Sequence, residues 1–567
     1  MLGLHIADVF VLGLYFVAMT VIGFKAARGI GGLADFFMPR KANWWLMVMH
    51  AFGSGTHADQ AVGVASKTYT NGLSGIWYQW CWLFPTPFYW LIAAVMRRFR
   101  AITTADVFEA RFSPSVGILF AIVGTLNLVV NIGVMLKGSG AVVHASTSGS
   151  VPANVAIGLM TVVIVIYGMA GGLSAVILAD FVQGWLTIVF SFMLLPFILG
   201  AVGGIAGIRS SIKDPGMLSL VAPEEIGFFY IAIIAFTSLI GIVTQPHSMG
   251  TCAACRTEME GRVGMMCGNF VKRLCTIAWC LTGIAAVVHF GGRDINPDHI
   301  FGLVAAEFLP KVSHGILGLF LASLLTSAVG SCDSFMIASS GLFTENIYKR
   351  VLPDRSQRHY LFVARVASLL VVASGAAFAY WLPSVVRGLE VFWKISSMMA
   401  IAFWLGFFWR RMTTAGAWAS TMVAFGVWWL TTKKFFILWL GGLSVAEPLR
   451  FIFIRDGVAE VYLPWQMVFY LLAGLVVGVV VSLLTRSVAE SKLEKFYTLV
   501  RTPVMLGEKV LVPCTLPTGA VVPPKRSIFP GTSFEIPVPS GVSVVGFLAA
   551  WGGVVLIIWS FYLIVKA

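Results

Sequence analysis

Apolar residues run in blocks of about twenty along the whole chain, separated by short polar stretches; such blocks match a hydrocarbon core of about 30 Å at about 1.5 Å per helical residue. The pattern predicts about fourteen spans, over 5–25, 44–69, 73–96, 115–143, 153–170, 174–200, 226–247, 274–290, 312–345, 359–381, 384–409, 412–431, 463–485 and 541–565. The blocks show no period-2 alternation, and a backbone in lipid must satisfy its own hydrogen bonds, so the spans are read as helices. Two blocks are interrupted in their middles. The second carries Gly53-Ser54-Gly55-Thr56-His57-Ala58-Asp59-Gln60, and the seventh ends with Gly241 and Thr244-Gln245-Pro246-His247, with Gly250 just beyond. Glycine and proline weaken a helix interior and leave backbone groups in need of partners. In either helix alone, glycine serves close packing equally well. The matched pair, five spans apart, is the spacing of a five-plus-five inverted repeat, the arrangement with which secondary transporters hold ions and solute at the midplane.

Composition places the chain firmly in the membrane. Of its 567 residues, 58% are hydrophobic and 11% charged, against about 25% charged in soluble domains. The first apolar block lacks a basic leader and is read as a span, not a cleavable signal. The net charge of +14 is a topology signal. With the N-terminus outside, most of the 39 Lys and Arg fall in inner segments, Arg97, Arg98, Arg111, Arg256, Lys272, Arg273 and Arg410 among them. The expected location is therefore a multi-pass cell (inner) membrane with both termini outside the cytoplasm, and no nucleic-acid partner. The polar segment 486–540 is rich in proline and reads as a linker on the inner membrane surface. No Gly-rich nucleotide loop precedes a helix, which argues against an ATP-driven pump, and no nucleophile–base pair suggests an enzyme. Cys252-x-x-Cys255, followed by Cys267 and Cys275, is better explained by small packing groups than by a metal site. Within the spans, an Asp at the bilayer centre costs about 2.5–3.5 kcal/mol, which marks Asp59, Asp180 and Asp333 as functional candidates. Lys137, Glu390 and Lys394 are their candidate partners.

Four motifs follow one another along the chain: Asp35-Phe36-Phe37 with Trp44-Trp45; Gly171-Gly172-Leu173-Ser174-Ala175-Val176 with Asp180 and Gln183; Ser339-Ser340-Gly341-Leu342-Phe343-Thr344-Glu345-Asn346-Ile347-Tyr348-Lys349; and Leu405-Gly406-Phe407-Phe408-Trp409-Arg410-Arg411. In these the chain resembles the sodium/solute symporter family, which includes sodium–glucose, sodium–proline and sialic acid transporters. The resemblance implies an all-α, leucine-transporter-like fold and sodium-driven import of a small polar solute by alternating access, with a single chain as the working unit. An extra helix and inner loop (1–43) would precede the two repeats (44–200 and 201–411), and three extra helices (412–567) would follow. It places a sodium site at the carbonyls of Gly53 and Thr56 and at Ser327, Gly330 and Ser331. Here the chain departs from the family, since Gly330 offers no hydroxyl to a hard cation that needs several oxygens. Asp180, Asp333 and Ser334 fall where relatives form a second sodium site, and two close carboxylates hold either a cation or a proton. For the solute, Gln60 and Gln79 match family positions, Thr244, Gln245 and His247 are taken from position alone, and Lys394 lies on the tenth core helix. Neutral amides suit hydroxyl groups, so the expected solute is a sugar, with a sugar acid as the close alternative. A carboxylate or amino-acid solute, or a transporter-like membrane sensor, are the other readings.

Overall fold

The computed structural model describes residues 3–27, 43–222, 225–455, 457–508, 510 and 512–566, without the side chains of 19, 20, 22–27, 167–179 and 253. The motif Asp35-Phe36-Phe37 and the side chains of Gly171–Val176 therefore lie outside the described residues. Helix α1 (Ile6–Ala27) is followed by a second block that is two helices, α2 (Trp44–Gly53) and α3 (Ala58–Asn71), joined by non-helical residues 54–57. The third block is broken too. Short helical turns over 72–80 lead through turns at 81–85 into α4 (Thr86–Arg98), which has Pro87 in its first turn. Helix α5 (Pro114–Ser146) is continuous.

Where two spans were expected over 153–170 and 174–200, the chain forms one helix, α6 (Ala153–Ala201), of 49 residues. At about 1.5 Å per residue it is roughly 73 Å long, more than one crossing of the membrane. Glycine keeps its N–H and costs a helix only about 1 kcal/mol, so the pair at 171–172 does not end it. The seventh block does break as predicted: α7 (Phe228–Gly241) and α8 (Pro246–Ala254) meet at a bend of 63° through a 3-10 turn over Ile242–Thr244.

Helix α9 (Glu258–His289) begins long before the apolar run at 274–290. A capping box starts it: the Thr257 side chain accepts from the Glu260 N–H while Glu260 accepts from the Thr257 N–H. Lys272 and Arg273, expected in an inner loop, are thus inside a long helix and buried. The remaining long helices are α10 (Ile316–Phe343), α11 (Gln357–Trp381), α12 (Val385–Phe408), α13 (Thr414–Thr431), α14 (Leu463–Leu484) and, after the short α15 (Glu490–Arg501), α16 (Gly541–Lys566). Among the described residues, 8 helices are long and apolar enough to cross a membrane, or 10 when each of two bent pairs is one span. The expected fourteen blocks thus do not become as many unbroken helices.

Close packing fixes the broken segment. Helix α9 runs along α2, α3 and α6, and α10 lies against α5 and α6. The Gly264-x-x-x-Gly268 face lets α9 approach α2: a Cβ on Gly268 would stand 2.6 Å from the Val48 carbonyl oxygen. One turn further along α9 comes Lys272.

The basic end of the bundle is tied to the polar segment. Arg100 pairs with Glu508 at 2.5 Å, both buried, and Arg410 reaches Glu490, Glu494 and Glu535. Leu493, Phe496, Tyr497 and Val500 of α15 are buried, and the Tyr497 hydroxyl donates to the Gly406 carbonyl at 3.0 Å. Segment 486–540 is therefore more than a linker on the membrane surface; its apolar helix face is docked on the ends of the core helices. At the opposite end, strands β1 (Ile452–Arg455) and β2 (Val458–Val461) form an antiparallel hairpin, from which Arg455 pairs with Glu390 at 2.9 Å.

Candidate functional site

The break between α2 and α3 ends a helix without capping its last carbonyls fully, and α10 supplies hydroxyls there. Ser331 donates to the Gly53 carbonyl at 3.2 Å, and Ser327 donates to the Thr56 carbonyl. Asp180, midway along α6, fills the space that two glycines leave. A Cβ on Gly53 would stand 3.0 Å from the Asp180 Cβ, and one on Gly330 would stand 2.9 Å from both Asp180 Oδ1 and Gln183 Oε1. His50 of α2 holds the other oxygen of this carboxylate, Nδ1 to Oδ2 at 2.7 Å. Asp180 Oδ1, Gln183 Oε1 and both oxygens of Asp333 are buried without a hydrogen-bond partner among the described residues. Unpartnered buried oxygens are costly unless a cation or proton joins them. The donor set is all oxygen and includes carboxylate, which suits a hard cation such as sodium.

On the other side of the same break lies a cavity of about 70 Å³. Gly55, Asp59, Gln60, Gln79, Gln245 and His247 line it, together with Lys272, Arg273, Asn131 and the rings of Trp82, Phe335 and Trp393. Gln60 Nε2 donates to the Gly55 carbonyl at 2.6 Å, which stiffens the unwound turn. Arg273 Nη1 donates to the carbonyl and, at 3.3 Å, to Oε1 of Gln79. His57 contacts one oxygen of Asp59 and leaves the other unpartnered. The second broken helix presents Gln245 and His247, and the ring of His247 lies 4.6 Å from that of Phe335.

The chain matches the Sodium:solute symporter family over residues 36–424. It belongs to that family. Its relatives include the sodium/glucose cotransporter of Vibrio parahaemolyticus, 22% identical over 73% of this chain and 83% of that protein. The osmoregulated proline transporter OpuE of Bacillus subtilis is 24% identical, with 86% and 96% covered. The sodium/pantothenate symporter of Haemophilus influenzae is 23% identical, with 48% and 57% covered. The fold is similar to that of a Na+-coupled sialic acid symporter, with a TM-score of 0.70 at 17% identity over 85% of this chain and 98% of that one. These relatives are transporters, not enzymes, and membership implies sodium as the coupling ion.

Of the residues that the family resemblance picked out, Gly53, Thr56, Ser327, Gly330 and Ser331 come together at the break. Asp180 stands beside them, where the missing side chains of Gly53 and Gly330 leave it room, and its charge also reaches Asp333. Asp333 is on the same helix with both oxygens buried, whereas Ser334 lines a second, smaller cavity with His50, His247 and Thr251. Gln60, Gln79, Gln245 and His247 all line the main cavity. Thr244 does not: its hydroxyl donates to the Ser396 carbonyl at 2.5 Å and ties the bend of α7 to α12. Lys394 does not either. It donates to Gln466 at 3.3 Å and lines an outer cavity with Glu390, Arg455 and Glu460, while Glu390 is held by Arg455 and by the Tyr78 hydroxyl. Among the described residues Asp59 and Asp180 are paired with His57 and His50, and not with the candidates Lys137, Glu390 and Lys394. Sequence reasoning missed His50 as a site residue, although a histidine inside an apolar span is itself a functional signal.

Proposed function

We propose that this chain couples the inward movement of sodium to the import of a small polar solute by alternating access. The observation that carries this reading is the juxtaposition at the first break: the Gly53 and Thr56 carbonyls with α10 hydroxyls, next to a polar cavity. The sodium ligands are the Gly53 and Thr56 carbonyls, Ser327, Ser331 and Asp180, with Asp180 standing in for the hydroxyl that Gly330 lacks. Asp333 holds a second cation or a proton. Residues 44–200 and 201–411 act as inverted repeats that rock around the two breaks, and the basic end with its docked 486–540 segment faces the cytoplasm. A single chain is the working unit.

Purified protein in proteoliposomes tests the reading. A solute panel of sugars, sugar acids, amino acids and carboxylic acids should include members taken up under an inward sodium gradient and not under an equal potassium gradient. Uptake that ignores sodium, or no sodium-dependent uptake across the panel together with no sodium-dependent stabilisation of the protein, would overturn it. For Asp333, Asp333→Asn should change the sodium Hill slope or the pH optimum of uptake, since it removes charge and keeps shape. The same slope and the same pH profile would make Asp333 a structural acid only.

A further inference from the structure

Lys272 is the buried charge that the symport reading leaves without a task. It lies in the middle of α9, is 6% exposed and lines the main cavity. Its ammonium group is pressed against the unwound turn: a Cβ on Gly55 would stand 2.3 Å from Nζ. Through Nζ it forms no hydrogen bond and no ion pair among the described residues. The acid whose charge reaches it, Asp59, is already engaged by His57. Arg273 follows at once, 1% exposed, with Nε buried and unpartnered. The cavity is therefore lined by two long basic side chains and two histidines against one acid. The first turns of α3 and α8 also open here, and helix N-termini carry partial positive charge. A buried ammonium with open donors needs an acceptor, and none is in contact among the described residues.

We propose that Lys272, backed by Arg273, is the counter-ion for a carboxylate on the transported solute. The inference rests on the symport reading and narrows it from polar solutes in general to carboxylates. Gln60, Asn131 and Gln245 present neutral amides to the rest of the molecule, which suits hydroxyl or amide groups beside the carboxylate. The same carboxylate chemistry occurs in a hydroxy acid and in a zwitterionic amino acid. Asp59 separates them, because its free oxygen would accept an ammonium only from the amino acid.

The test is thermal stabilisation of the purified full-length protein in sodium, with D-gluconate, L-lactate, pantothenate, L-proline and D-glucose as probes. At least one carboxylate should stabilise it and D-glucose should not. For that probe, Lys272→Gln should weaken binding by about 10–100-fold, the loss expected of a buried charge-assisted contact, and Lys272→Arg should restore part of it. Sodium-dependent stabilisation should persist in Lys272→Gln, which shows that the variant is folded. Asp59→Asn should weaken L-proline and spare D-gluconate and L-lactate, so the arm that responds names the source. If Lys272 served only to balance Asp59, the double variant Asp59→Asn/Lys272→Gln would bind the probe as the parent does, and the proposal would fail. Stabilisation by D-glucose alone, or by none of the carboxylates while sodium still stabilises, overturns this inference and leaves the symport reading standing. Loss of the sodium effect in the parent protein would sink the symport reading itself.

Discussion

Two glycines of one unwound turn, Gly53 and Gly55, face opposite kinds of charge. Gly53 opens onto Asp180, near Ser327, Ser331 and Asp333, and among the described residues no lysine or arginine shares the hydrogen bonds there. Gly55 opens onto Lys272, with Arg273 behind it. A side chain at either position would displace the charged group that the turn accommodates. On the proposed reading, a single break separates a surface for a cation from one for an anion. Attraction between opposite charges on the two sides falls with distance and rises in a low dielectric. Here the two cargoes would be close and poorly screened, so that each lowers the cost of burying the other. That is a physical basis for coupling, since a site filled by one ligand alone would leave the opposite charge uncompensated.

The comparison is broken most severely by removing the acid on the cation side. Asp180→Ala should raise the sodium concentration needed for half-maximal stabilisation by about 10–100-fold, the range seen when groups supporting a metal site are removed. The variant also vacates the space against Gly330. Gly330→Ser alone should impair sodium binding, because its Cβ would crowd Asp180 and Gln183 at 2.9 Å. In the Asp180→Ala background the same serine meets only the flexible end of Gln183 and returns a hydroxyl to α10, so the double variant should bind sodium better than Asp180→Ala. Sodium titrations of the three variants check this. A double variant no better than Asp180→Ala would show that the carboxylate does not stand in for the missing hydroxyl.

A smaller effect is expected at Ser331. Its hydroxyl is one neutral oxygen among several, so Ser331→Ala should cost about 1 kcal/mol, or several-fold in sodium affinity, without loss of folded protein. Its effect on a carboxylate probe should appear only through sodium, vanishing at saturating sodium. An equal loss at saturating sodium would place Ser331 on the solute side and erase the division that the two glycines define.

How far the chain could be read without its structure follows from which signals are local. The two breaks were legible because glycine and proline act where they stand, and Gly53, Thr56, Ser327 and Ser331 followed from helix spacing once the family motifs set the register. Asp180 was visible as a buried acid, but its place against Gly330 depends on how α6 meets α10, which no local pattern states. Lys272 was assigned to a loop because hydropathy is diluted where Arg262, Lys272 and Arg273 fall in one stretch. The sign that α9 starts earlier was nevertheless present in Thr257-x-x-Glu260, a capping box ahead of the charged residues. Fourteen hydropathy blocks stand beside 8 to 10 candidate spans among the described residues for a related reason: average apolarity does not register a turn such as 81–85.

Lys394 sharpens the comparison from outside it. The family register puts this residue on the tenth core helix, near the expected solute, and its charge there would have made it the anion's partner. In the structure it belongs to the outer cavity, where it donates to Gln466 and its ammonium lies 5.9 Å from the centre of the Trp428 ring. Between it and the main cavity stand Tyr78 and Trp393, whose ring centres are 5.3 Å apart. Lys394→Met keeps most of the side-chain volume and removes the charge, leaving Gln466 with one acceptor unfilled, at a stability cost of about 1 kcal/mol. The affinity for a carboxylate probe should change less than about twofold, because the aromatic pair and the intervening distance weaken the remaining electrostatic effect. Binding of that probe to Lys394→Met, measured beside Lys272→Gln, checks it. If Lys394→Met matched the loss in Lys272→Gln, the anion would be held from the outer side, and Gly55 would no longer mark the boundary between the two charges.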